Sequence, residues 1–210
     1  MVAIPRSTYT EERALRALGF KLVAGVDEAG MGAWAGPVIA AAVILPEKCR
    51  VLLMRDSKTL TARQRERTAV AIKKYAVAWA VGEASPEEVD ALNVRRAGTL
   101  AMRRAVEALA VPPDHFLLDA FLIPDFPLPQ KNIIRGDRKV KCVAAASVIA
   151  KVHRDALMVE LDGQHPGYGF ADHKGYGTAV HAAAVKKMGP CPIHRMSYEP
   201  LKASTLAVLA

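Results

Sequence analysis

Four acidic residues stand where short apolar runs end. Asp27 and Glu28 close the run over 21–26, Asp119 closes the run over 116–118, and Asp137 follows Ile133 and Ile134. Adjacent residues of a strand point to opposite faces, but at a strand end the second can turn into the same pocket. Four carboxylates at neighbouring strand ends would repel one another strongly in a half-buried site. Divalent cations relieve that repulsion, and ligands that are all oxygen suit Mg²⁺ or Mn²⁺. Two such ions about 4 Å apart would let one activate water while the other stabilises the leaving oxygen of an in-line phosphoryl displacement. Asp is also an ordinary turn residue. Spacing alone leaves both readings standing.

The elements that must position these groups can be read from periodicity and punctuation. A helix is expected over 10–18, stopped by Gly19, then a strand over 21–26 and a glycine-punctuated turn over 30–36. The run 38–45 is apolar throughout and ends at Pro46; it reads as a buried strand, with a helix as the alternative. Thr61 and Gln64 have capping-box spacing and open a helix towards Lys74, and Ser85 with Glu88 repeats the pattern around Pro86. Aromatic and β-branched residues predict a third strand over 75–81. Asn93 caps a helix with Val94, Ala97, Ala101 and Ala105 on one face, and further helices are expected over 143–161 and 178–188. Three early strands with tight connections suit an antiparallel meander, and strands reached through helices suit parallel addition to the same sheet. No repeat or linker divides the chain, so residues 1–210 read as one domain.

Composition narrows the class. The 210 residues are 51% hydrophobic and 24% charged, which suits a folded globular chain and not a disordered one. Lys and Arg number 29 against 21 Asp and Glu, a formal net charge of +8. Such a balance favours a phosphate-backbone partner without excluding a basic protein that binds none. Cys49, Cys142 and Cys191 are odd in number and never in C-x-x-C spacing, which argues against a disulfide framework and a zinc cluster. His173, His181 and His194 likewise lack ligand spacing. No apolar run approaches the roughly 18 residues of a membrane helix, and residues 1–7 lack a signal-peptide core. A reducing, cytoplasmic setting is expected.

The stretch Gly25-Val26-Asp27-Glu28-Ala29-Gly30-Met31-Gly32-Ala33-Trp34-Ala35-Gly36-Pro37-Val38 closely resembles the signature of the bacterial ribonuclease HII family. The resemblance continues at Asp56-Ser57-Lys58 with Leu60, at Gly136-Asp137, along 144–152 with Arg154-Asp155, and along 166–170. It recurs at His173-Lys174-Gly175-Tyr176-Gly177-Thr178 and at His194-Arg195, in family order from about residue 21 to 200. It implies an α/β, ribonuclease H-like fold: a mixed five-stranded sheet flanked by helices, with a helical C-terminal part. It also implies that Asp27, Glu28, Asp119 and Asp137 bind Mn²⁺ or Mg²⁺. The implied reaction is endonucleolytic hydrolysis of the RNA strand of RNA–DNA hybrids. Incision at single ribonucleotides in duplex DNA is implied as well, leaving 3′-hydroxyl and 5′-phosphate ends.

Three positions depart from the family pattern. Met31 stands where Arg or Lys is usual between two glycines, Ala33-Trp34 replaces Pro and Leu, and Ala120 replaces the Gly after the third carboxylate. The last two read as packing changes. The family's Gly-x-Gly segment is thought to read the ribose 2′-hydroxyl, so Gly30, Met31 and Gly32 are expected at the substrate, with a cation lost at Met31. Weaker binding or an altered junction preference should follow, and Met31→Arg tests it.

Ser147, Lys151, Arg154 and Asp155 share one side of the helix over 143–161. This is either a solvated face or, as the resemblance favours, one on which Lys151 meets the substrate backbone and Asp155 orients a ligand or coordinated water from behind. Tyr168 and Tyr176 both sit between glycines, as loop anchors or as stacking platforms; alignment to the family favours Tyr176 at the sugar. Lys58 and Lys174 are candidate phosphate contacts or plain surface lysines. The rivals are a DNA-cutting transposase, resolvase or exonuclease of the same fold, and a catalytically silent nucleic-acid-binding module. The ribonuclease HIII branch is less favoured, since it usually carries an added N-terminal domain and Asp27 lies near the start. A monomer is expected. The segment 205–210 is apolar without aromatics and offers no clamp-binding motif.

Overall fold

The computed structural model describes residues 7–49, 51 and 57–202. The leader reading at residues 1–6, Asp56 of the Asp-Ser-Lys block and the 205–210 tail lie outside the described residues. Five strands form one sheet in the order β3-β2-β1-β4-β5. They are β1 (Val23–Ala29), β2 (Val38–Ile44), β3 (Ala78–Ala84), β4 (His115–Asp119) and β5 (Gln130–Ile133). β1, β2 and β3 are an antiparallel meander, and β4 and β5 join parallel to β1. This is the mixed sheet that the resemblance implies.

Every residue of β2 is buried. A strand covered on both faces has no polar side, which is why its sequence lacks alternation. β3 does alternate, but over 78–84 and not over the expected 75–81. Tyr75 instead ends helix α2 (Ala62–Tyr75), and pairing of Val38 with Ala84 carries the strand through Gly82. A Cβ on Gly82 would lie 2.3 Å from Ala101 O, so the glycine admits helix α4 (Val94–Glu107) against the sheet. β5 also differs from the expected Ile133-Ile134 pair: it runs back to Gln130, and Ile134 is 71% exposed.

Helix α6 (Lys141–Gln164) covers one face of the sheet, together with α1 (Thr10–Ala17) and α2. It comes very close at Gly25, where a Cβ would sit 2.1 Å from the Cys142 carbonyl carbon. Only hydrogen fits there, and the start of α6 is pressed onto β1 beside Asp27. Helices α3 (Pro86–Leu92) and α4 cover the other face through Val89, Ala97, Ala101 and Ala105. Both expected capping boxes form, with Thr61 accepting from Gln64 N at 3.3 Å and Ser85 from Glu88 N at 3.3 Å.

Asp137 does not follow a strand directly. Arg135 adopts a left-handed turn (φ 60°) that starts a short helix, α5 (Gly136–Lys139), and Asp137 is buried on it. Beyond α6, α7 (Phe170–His173) and α8 (Ala179–Met188) close over Ala35, Met158, Phe170 and Leu201, forming the helical C-terminal part. Among the described residues, no helix is long and apolar enough to cross a membrane.

Candidate metal and substrate cleft

The parallel pairing of Val26 with Leu118 sets the ends of β1 and β4 side by side, so Asp27 and Asp119 are neighbours. Asp119 Oδ1 accepts a hydrogen bond from Gly136 N at 2.8 Å, which draws α5 in and delivers Asp137. Carboxylate oxygens of Asp27, Asp119 and Asp137 lie within 4.8 Å of one another. Glu28 is outside that trio but lines the same cleft, of about 480 Å³.

Burial pushes the Asp27 carboxyl well above the usual carboxylate range, and the nearby Glu28 and Asp119 add to it. Burial and then Asp119 raise Glu28 to about 7. Glu28 Oε2 is buried without a hydrogen-bond partner among the described residues. Gathered, desolvated oxygen donors with one left unsatisfied are the chemistry of a hard divalent cation site, so the residues fit the expected Mg²⁺ or Mn²⁺. Ser147 hydrogen-bonds Asp27, and its hydroxyl meets that of Ser57 at 3.0 Å, tying α6 to the turn that carries Lys58.

The wall opposite is the loop 30–37. Its carbonyls are held by two buried arginines that spacing did not reveal. Arg154 donates to Pro37 O at 3.0 Å and Ala35 O at 3.0 Å. Arg195 donates to Gly36 O at 2.8 Å and Met31 O at 3.1 Å, and Tyr198 donates to Met31 O at 2.6 Å. Gly30 (φ +94°) has no room for a Cβ, which would lie 2.1 Å from Arg154 Nε. With its carbonyls fixed behind, the loop turns Gly30, Met31 and Gly32 to the cleft. Among the described residues no acceptor meets their N–H groups. The Met31 thioether packs on α4, where a Cβ on Gly98 would be 2.9 Å from its sulfur.

Lys58, Ser147, Lys151 and Tyr176 line the cleft as well. Lys151 Nζ is 2.7 Å from Asp155 and 5.4 Å from the Tyr176 ring centroid. Asp155 itself is off the cleft, in a neighbouring hollow with Arg65 and Lys174. Its carboxylate is taken by Lys151 and, at 3.8 Å, by Arg65. Its side chain holds Lys151, and it stands roughly two helical turns beyond Ser147, the α6 residue that bonds Asp27. Arg154, read as part of a polar stripe, is fully buried. Tyr168 is core, stacked on Phe170 at 5.2 Å and bonded to Gly189 O.

The three histidines without ligand spacing do meet in space, because α8 folds back on the loop 173–178. His181 Nε2 is 3.0 Å from His194 Nε2, and His173 stacks on His181 at 4.5 Å. Cys191 N–H donates to His194 Nδ1 at 2.9 Å, so His194 carries its proton on Nε2 and donates to His181. His181 then donates from Nδ1 to Tyr176 O at 3.0 Å. The relay anchors the Tyr176 backbone. Two of its links lie in sequence blocks already noted, but only the fold joins them.

The family model described as Ribonuclease HII matches residues 24–200. A ribonuclease HII of Anaeromyxobacter sp. (strain Fw109-5) is 54% identical over 184 residues, covering 88% of this chain and 58% of that protein. Another, of Myxococcus xanthus (strain DK1622), is 54% identical over 185 residues, covering 88% of this chain and 63% of its own. The chain thus spans about three fifths of the length of these two relatives. Among solved structures, the ribonuclease H2 from Pyrococcus horikoshii OT3 superposes with TM-score 0.73 at 26% identity, over 86% of this chain and 95% of that one.

Proposed function

This chain belongs to the ribonuclease HII family, and from that membership we propose that it is an endoribonuclease acting on RNA paired with DNA. The reading extends to incision at single ribonucleotides embedded in duplex DNA. The observation that carries it is the convergence of Asp27, Asp119 and Asp137 within 4.8 Å beneath a glycine loop that turns its backbone to the same cleft.

In this reading Asp27, Glu28, Asp119 and Asp137 hold divalent cations, Mn²⁺ or Mg²⁺. Bound there as a pair, such ions supply Lewis-acid activation of water and neutralise charge at the leaving oxygen. The bond between phosphorus and the sugar 3′-oxygen breaks, water oxygen joins phosphorus, a water proton ends on the leaving 3′-oxygen, and the ends are a 3′-hydroxyl and a 5′-phosphate. The N–H groups at 30–32 would donate to the 2′-hydroxyl oxygen, which DNA lacks. Tyr176 offers a ring to the adjoining sugar, and Lys58 and Lys151 offer charge to the phosphates.

The test is cleavage of a labelled DNA duplex carrying one ribonucleotide, beside an RNA–DNA hybrid and an all-DNA duplex, with Mn²⁺ or Mg²⁺. The expected result is a cut at the junction and in the hybrid, none in all-DNA, and loss by at least about 10³-fold in Asp119→Asn. Cutting of all-DNA would replace the reading by the DNA-nuclease class. Binding without cutting would leave a silent binding module.

A further inference from the structure

On the α4 side of the cleft lies a basic groove that the carboxylate chemistry does not use. It is lined by Arg95, Arg96, Thr99, Phe121 and Asn132, and it begins at Ala120, the residue after Asp119. The turn that ends β4 builds it. Ala120 takes a left-handed conformation (φ 54°), Asn132 donates to its carbonyl at 3.1 Å, and Phe121 is thereby turned under Arg95. The Arg95 guanidinium sits 4.6 Å from the Phe121 ring centroid, which orients a charge that would otherwise swing freely.

The charges on α4 are distributed unevenly. Arg103 and Arg104, in its last turns, are paired with Glu107 and Glu88. Arg95 and Arg96 are exposed in its first turn and form no ion pair with a described carboxylate. Cations at that end oppose the helix dipole, where acidic residues are the stabilising choice. Asn93 Oδ1 already accepts from Arg95 N and Arg96 N, so those N–H groups are spent and the guanidinium groups alone present the charge. Two adjacent cations placed against the helix's own electrostatics, one of them on an aromatic support, fit a partner that is itself anionic. Next to Asp119, the anion at hand is the substrate.

We infer that Arg95 and Arg96 are a phosphate-contact pair holding the sugar–phosphate backbone of the duplex where it leaves the carboxylate cleft on the α4 side. The inference rests on the nucleic-acid substrate proposed above. It also gives the cleft's α4 side a cationic contact, where Met31 supplies none.

The test is binding of a labelled duplex carrying one ribonucleotide, followed by fluorescence anisotropy across a salt series with Ca²⁺ present. Proteins compared are the parent chain, an Arg95→Ala/Arg96→Ala variant, an Arg95→Lys/Arg96→Lys variant, and Lys73→Ala/Lys74→Ala. The last removes the same charge from α2, which packs on the other face of the sheet. Each lost phosphate contact should lower the slope of log affinity on log salt by about 0.9. The alanine pair is therefore expected to flatten it by up to about 1.8, with affinity down at least about tenfold at low salt. The lysine pair should retain most of the slope, and the alanine pair should melt at or above the parent temperature. An unchanged slope, or an equal flattening in the α2 control, overturns the inference while leaving the proposed function intact. Failure of the parent chain to bind the duplex overturns both.

Discussion

At the scale of single residues, Ala120 is more than a packing change. Its left-handed φ of 54° explains why the resemblance calls for glycine there. An L residue in that region carries a penalty of roughly 1–2 kcal/mol, partly offset by glycine's greater freedom in the unfolded chain. Ala120→Gly should therefore stabilise the protein by up to about 1 kcal/mol in denaturant melts; a clear loss would contradict the strain argument. Glu28 carries a second prediction. Raised to about 7 by burial and Asp119, it must lose its proton to bind a cation, so affinity should fall as pH drops below about 7. The expected slope is at least about tenfold per pH unit, one proton from Glu28 together with any held by the raised Asp27. Calorimetric titration of Mn²⁺ between pH 6 and 8 in buffers of different ionisation heat counts the protons released; Glu28→Gln should release fewer than the parent, and an equal release would remove Glu28 from the site.

At the scale of elements, the contact of β1 with α6 positions both Asp27 and Ser147. Gly25→Ala forces a methyl into the Cys142–Val143 backbone. The expected outcome is a loss of about 3 kcal/mol or more in stability, with cleavage reduced beyond what unfolding explains. Ser85→Ala removes a cap of α3, no residue of which lines the cleft, and should cost about 1 kcal/mol while leaving kcat unchanged in the folded fraction. The periodic elements were legible because capping boxes and apolar stripes are local. β3 was displaced in the reading because Tyr75 has strand propensity but completes α2, and propensity yields to pairing with β2. α5 was missed because a single helical turn after a left-handed arginine has no periodic signal.

For the whole molecule, the folding of the C-terminal helices onto the glycine loop sets a pH limit on stability. Burial holds His194 down at about 4 and lowers His181 as well. A folded-state value below the unfolded one means that the unfolded chain binds more protons in this window. The His194 contribution is then full above about 6.5 and is lost as pH falls towards 4, by up to about 3 kcal/mol. Asp27 and Glu28, raised in the fold, shift stability in the opposite direction over the same range. The measurement is therefore the difference between parent and His194→Gln in denaturant melts at pH 7 and pH 5. The variant should lose less stability, or gain more, on acidification than the parent. The four acidic candidates, the glycine loop, the caps and the mixed order of strands are legible from residue type and short-range spacing. Folding in three dimensions brings Asp137 in on a helical turn, pairs Asp155 with Lys151, and buries Tyr168 while Tyr176 lines the cleft. It also sets Arg154 and Arg195 to clamp the loop from behind and joins the histidines in one relay. Those are contacts between residues up to 167 positions apart, as for Tyr198 and Met31, and no local pattern encodes which of many polar side chains will be buried against which backbone.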